Sequence, residues 1–290
     1  MLIGLMLEGQ EGIEWPQWVA LARAAEDAGL ESLFRSDHYG SIVRGHPSGA
    51  LDAWATLAAL GTQTTTIRLG TLVSPVTFRP ASVLAKSVVT ADHVSNGRIE
   101  LGIGAGWYQW EHERYGFRFG TAKERLDELD RQLDVITRQW TQDDEIWPKP
   151  FQQPRPPIIV GGSAKPRTVR AAIAHADEYN TVFPTVDEAR ERKRILDDAA
   201  RDARREPLRC SMMIGCVVGR DQVEADDRLG QLRASTGREE APPLTGTVEQ
   251  VVEQLRAFER AGVERAMLQH LVHEDVEMVS VLGEVSAQLR

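Results

Sequence analysis

Ile67 to Trp107, IRLGTLVSPVTFRPASVLAKSVVTADHVSNGRIELGIGAGW, is the stretch that decides the fold of this chain. Ile67–Ser74 has the apolar, β-branched character of a buried strand. Arg79-Pro80 opens a helix in which Val83, Leu84, Ser87, Val88 and Ala91 recur near the 3.6-residue period. Ser95-Asn96-Gly97 turns the chain into a second strand, Arg98–Ile103, which finishes in Gly104-Ala105-Gly106. A strand–helix–strand unit of this kind makes parallel neighbours with a right-handed crossover. Its two strand ends then share one mouth lined by backbone amides, which predicts a cofactor site.

The same alternation runs outward in both directions. Strands are predicted at Leu2–Leu7, Glu31–Arg35, Ile67–Ser74, Arg98–Ile103, Pro157–Val160, Glu178–Val182, Leu208–Val218 and Arg265–Gln269, each followed by a helical segment. The helix Pro16–Ala28 puts Trp18, Leu21, Ala22 and Ala25 on one stripe and stops at Gly29; that of Thr247–Ala261 starts at a capping threonine and stops at Gly262. Eight βα units, in a chain somewhat above the ~250 residues usual for the architecture, predict one closed (β/α)8 barrel over residues 1–290. A doubly wound sheet is the competing α/β arrangement. No Gly-, Ser- or Pro-rich linker divides the chain, and the proline-rich 147–157 segment reads as a stiff connection into strand five.

Composition narrows the function. The chain is 42% hydrophobic and 27% charged, which suits a large core. A formal charge of −9 opposes a nucleic-acid surface. No run reaches membrane-spanning length, and Met1–Leu7 reads as a first strand rather than a leader. Cys210 and Cys216 fall on one face of one strand, too far apart to bridge, and are expected to be buried, reduced thiols of a cytoplasmic protein. No HExxH or paired histidines suggest a metal site, and none of the five lysines ends a predicted strand.

In such barrels the chemistry sits where strands end. That places Ser36-Asp37-His38, Leu72-Val73-Ser74, Gly104-Ala105-Gly106-Trp107, Val160-Gly161-Gly162-Ser163 and Gln269-His270 on the candidate rim. The glycines at 102, 104 and 106 fail the dinucleotide fingerprint, because Trp107 occupies its third glycine position, and on their own they also suit a tight strand exit. Gly161-Gly162-Ser163 before Pro166 reads as a phosphate cradle, with Lys165, Arg167 and Arg170 adding attraction for an anion. His38 is placed for proton handling, although a lone histidine also serves structure. Trp107 suits the wall of a site for a flat heterocycle.

Ser36-Asp37-His38, Leu69–Pro75, Phe78-Arg79-Pro80, Gly97–Gly106, Glu111-His112, Tyr115-Gly116, Ile159–Ser163 and Ala176–Asn180, in this order, resemble the bacterial luciferase-like superfamily, and within it the deazaflavin (coenzyme F420)-dependent oxidoreductases. The resemblance implies a TIM barrel with a deazaflavin across its mouth. It implies a non-prolyl cis peptide at Leu72–Val73 against the ring, and phosphate contacts at Gly106, Gly161 and Gly162. It makes Asp37 and His38 the catalytic pair, with His38 aiding hydride transfer. Leu72, Val73, Ser74, Gly104, Ala105, Trp107, Val160 and Ser163 complete the implied cofactor contacts, and Arg44 and Arg79 are candidate partners for the acidic tail.

Two departures carry weight. Where the sugar-phosphate dehydrogenase relative has a proton-donating glutamate, this chain has Trp107, so the proton must come from His38, Glu111 or water. The segment from Thr141 to Pro157 is also short, which implies a more open rim. The expectation is an F420-dependent oxidoreductase acting on a small molecule, with no metal and as a homodimer. The alternatives are an FMN-dependent monooxygenase with a partner reductase, and a non-catalytic barrel subunit.

Overall fold

The structure, a computed structural model, describes residues 1–43 and 48–290. Eight strands form the ring: β1 (Leu2–Leu7), β2 (Ser32–Arg35), β3 (Arg68–Thr71), β4 (Ile99–Gly104), β5 (Ile158–Gly161), β6 (Glu178–Val182), β7 (Arg209–Gly219) and β8 (Arg265–His270). Each pairs in parallel with the next, and β8 returns to β1 through registers such as Leu5 opposite Leu268, so the sheet closes on itself. This is the predicted (β/α)8 barrel, not the doubly wound alternative.

Ten helices, α1 (Trp15–Asp27), α2 (Ala53–Gly61), α3 (Ala81–Val94), α4 (Gln109–Tyr115), α5 (Ala122–Thr141), α6 (Pro166–His175), α7 (Val186–Asp202), α8 (Gln222–Thr236), α9 (Val248–Arg260) and α10 (Glu277–Leu289), complete the described residues. Helices α5, α7 and α9 each start at a threonine whose side chain caps the first turn, with Glu124, Glu188 and Gln250 reaching back to it. Such caps satisfy amides that have no helical partner and are worth about 1 kcal/mol each.

The buried apolar groups of the barrel separate into two cores, with a small third cluster outside them. One fills the shell between strands and helices; the other, Met6, Phe34, Leu72, Ile159, Met213 and Met267, lies inside the ring. Alternation along each strand explains the split, since only every second residue faces the axis. Below the inner core, Arg265 closes the N-terminal end of the barrel. Fully buried, it holds Glu100 at 2.7 Å, Glu178 at 3.1 Å and Glu31 at 2.7 Å, and Arg68 also bonds Glu100. Burial raises the Glu100 carboxyl, but Arg265 and Arg68 outweigh it and bring the value down to about 2. Glu178, with one oxygen unpartnered, is instead pushed up by burial.

Two strand readings need correction. The predicted strand Ile67–Ser74 breaks after Thr71 at the cis Leu72–Val73 peptide that the resemblance implies, and resumes as Ser74–Pro75 beside β4. The end of β7, residues 216–219, leaves the ring and pairs with an additional strand, Leu244–Thr247.

Candidate active site

The C-terminal end of the barrel differs because its inward positions lose their side chains. Gly104 and Gly161 end β4 and β5, and between them stands Val73. A Cβ on Gly104 would lie 2.7 Å from Val73 Cγ2, and one on Gly161 3.4 Å from Cγ1. Gly104 therefore makes room for Val73, whereas a Cβ on Gly161 would be an ordinary contact, and the slot beside them is part of a cavity of 390 Å³. His38, Leu72, Val73, Gly104, Ala105, Gly106, Trp107, Gly161 and Gly162 line it, as do Glu8, Glu111, Asn180 and Gln269, the last three strand or helix positions from opposite sides of the mouth.

Gly106 turns the chain at φ +79°, where a Cβ would also press to 3.0 Å from Thr77 Oγ1. The amides of Ala105, Gly106 and Trp107 donate to no protein acceptor among the described residues, and neither does that of Ser163. Buried His112 fixes this loop. Its Nδ1–H donates to Tyr108 O at 2.7 Å, which leaves Nε2 to accept from the Thr77 hydroxyl at 2.7 Å.

His38 Nδ1 lies 2.8 Å from Glu111 Oε1, and the other oxygen of Glu111 accepts the Tyr39 amide at 2.9 Å. Burial disfavours a charged His38, but the hydrogen bond and charge of Glu111, helped by Glu8 and Asp37, more than compensate and raise its pKa above 6.5. Trp107, largely exposed at the rim, stands edge-on to His38 with centroids 5.7 Å apart.

Several candidates sit elsewhere. Asp37, Ser74, Val160 and Ser163 do not line the cavity. Asp37 is buried beneath the mouth, accepting from Ser74 Oγ at 2.6 Å and Arg79 Nη1 at 2.6 Å. Arg79 also reaches the exposed Asp52 at 2.6 Å, so it is paired with two carboxylates of the chain. Val160 points into the outer core. Arg44 lies outside the described residues. The expected cradle is altered as well: the Gly162 amide donates to Asn180 O at 2.9 Å, and a Cβ on Gly162 would meet Tyr179 OH at 2.6 Å. Arg167 is paired with Asp127 and Asp130, and Arg170 with Asp130.

Glu8 and Asn180 are among the lining residues that the sequence reading did not single out. Glu8, the residue following β1, is buried, accepting from Gln269 Nε2 at 2.6 Å and Gln10 Nε2 at 2.9 Å. The strand-end rule alone points to it. Asn180, on β6, donates to Ser211 Oγ at 2.9 Å, while its buried Oδ1 has no partner. Both cysteines lie buried and unpaired on β7, their thiols pushed up to about 12 by burial. Among the described residues no cluster could hold a metal ion, and no helix is long and apolar enough to cross a membrane.

A closed barrel with a cavity at the C-terminal ends of its strands is the architecture of (β/α)8 enzymes. Residues 3–243 match the luciferase-like monooxygenase family, and the chain belongs to that family. An uncharacterised protein of Mycobacterium tuberculosis is 31% identical over 197 residues, covering 58% of this chain and 68% of the relative. A putative coenzyme F420-dependent oxidoreductase of the same organism is 34% identical over 147 residues, half of this chain and 38% of the relative. The crystal structure of a monooxygenase from Streptomyces bottropensis shares the fold with a TM-score of 0.82 at 20% identity, covering 100% of this chain and 99% of that one. The chain is thus an enzyme of the oxidoreductase or monooxygenase type.

Proposed function

We propose that the chain is an oxidoreductase that binds coenzyme F420 in the mouth cavity and transfers a hydride between the cofactor's C5 and a small organic substrate. The unpartnered, buried Asn180 Oδ1 carries this reading. A buried acceptor without a donor is costly unless a ligand supplies one, and a flat ring bearing an N–H is such a ligand. The slot over Val73 suits the ring's flat face, and the amides of Ala105, Gly106 and Trp107 suit its phosphate.

When bound, a deazaflavin supplies a carbon centre that exchanges a hydride and reacts poorly with oxygen. The protein's part is positioning and proton handling. Val73 and Leu72 support the ring, and Asn180 Oδ1 fixes its rotation. Glu111 holds His38 through Nδ1, leaving Nε2 to exchange a proton with the substrate oxygen. This supplies the proton that Trp107 cannot. Glu8, braced by two amides, adds to the influences that favour a proton on the histidine.

A fluorescence titration of the purified protein with deazaflavin and with FMN tests the reading. Binding of the deazaflavin at least tenfold tighter than FMN, weakened in Asn180→Leu, is the expected result. Tighter FMN binding would favour the second reading, an FMN-dependent monooxygenase, which the family's membership supports; no binding of either would defeat both.

A further inference from the structure

Beside the mouth lies a second cavity of 510 Å³, bounded by the ends of β7 and β8, helix α8 and the segment 238–243. The two cavities share Phe183, Arg238 and Gln269 as lining residues. Phe183 holds φ +43°, a conformation that aromatic residues rarely adopt, and its amide is fixed to Met213 O at 2.9 Å. Each volume falls in the range of small-molecule sites.

The walls of this second space are apolar. Val217, Leu232 and Leu271 form a buried cluster of their own, separate from both barrel cores. The ionisable groups that reach it from packed elements present no free charge. Burial pushes the Cys216 thiol up to about 12 and brings His270 down to about 4, its Nε2–H donating to Asp275 O at 3.0 Å. Arg228 is paired with Asp275 at 2.7 Å and Glu224 at 2.9 Å. The remaining ions, Arg238, Glu239 and Glu240, are exposed at the rim. At the boundary, Gln269 Oε1 receives no hydrogen bond among the described residues while Nε2 is held by Glu8.

We propose that the second cavity is the substrate compartment and selects a neutral, mainly hydrocarbon molecule whose single hydroxyl points past Phe183 to Gln269 and the mouth. A charged group among Val217, Leu232 and Leu271, away from Arg238 at the rim, would be desolvated without a partner, whereas hydrocarbon gains from burial. What happens to the bound molecule rests on the redox reading above; its binding does not.

The test compares a matched pair, 2-naphthalenemethanol and 2-naphthoate, by calorimetric titration of the full chain without cofactor. The alcohol is expected to bind at least tenfold tighter than the carboxylate. Leu232→Trp, which fills the space, is expected to weaken the alcohol at least tenfold and leave deazaflavin and FMN affinities within twofold. Ala241→Trp, on the exposed segment, gives the same readout without disturbing a buried position. No binding of the alcohol, equal affinity for the carboxylate, unchanged alcohol binding in both variants, or displacement of the alcohol by cofactor would overturn the proposal. Selective alcohol binding in a protein that takes neither cofactor would sustain the compartment and sink the redox reading instead.

Discussion

At the N-terminal end of the barrel Arg265 is buried among Glu31, Glu100 and Glu178; at the C-terminal end Glu8 is held only by two amides and Asn180 Oδ1 by nothing. The same eight strands build both ends. One end holds its buried cation among carboxylates of the chain itself, with Glu178 Oε1 and Ser32 Oγ its unpartnered atoms. The other leaves donors and acceptors unmatched around an open space, and unmatched groups are what a ligand can complete. The contrast locates stability below the inner core and binding above it.

The largest effect should come from the closed end. Arg265→Met leaves Glu100 with Arg68 alone and Glu178 with the half-exposed Arg209 at 3.4 Å, and should cost about 3–5 kcal/mol in denaturant unfolding. A loss under about 1 kcal/mol would break the contrast at its base. At the open end, Gly104→Val forces a branched side chain onto Val73, 2.7 Å from where its Cβ must lie. Overpacking of about 1–3 kcal/mol is expected, with cofactor affinity falling beyond the range of the titration. Tight binding retained in that variant would show that Val73 does not shape the slot.

Asn180→Leu removes an acceptor that has no donor together with the hydrogen bond to Ser211, so the fold should lose about 1 kcal/mol while cofactor affinity falls about tenfold. Loss of stability without loss of affinity would reassign Asn180 to structure. The smallest effect concerns His38. Its raised pKa stabilises the fold fully below about pH 6.5, and that contribution fades as pH rises through the folded-state value. Glu111→Gln removes the hydrogen-bonded charge and leaves burial as the leading influence, so the His38 titration followed by NMR should move downward. A midpoint that stays put would separate Glu111 from proton handling.

Much of this was legible in the chain. β1 and β6 fall at Leu2–Leu7 and Glu178–Val182 as read, and the barrel followed from the alternation. Local pattern could not show the break at Leu72–Val73, because Leu, Val and Ser all suit a continuous strand. Nor could it show that Arg79, Arg167 and Arg170 are engaged, since Asp37, Asp52, Asp127 and Asp130 reach them from distant segments. Asp37 was read as a rim residue for its place in the motif, yet Ser74 and Arg79 hold it beneath the mouth. Glu8 looked like the polar end of a strand, and only the closing of β8 against β1 brings Gln269 to it.

Val73 fills the space that a side chain at 104 would need, so positions 73 and 104 are free to vary only in concert. An alanine at 104 requires a smaller residue at 73. Remodelling this wall of the pocket for another cofactor would therefore fail at 104 alone and needs a coordinated exchange of the two.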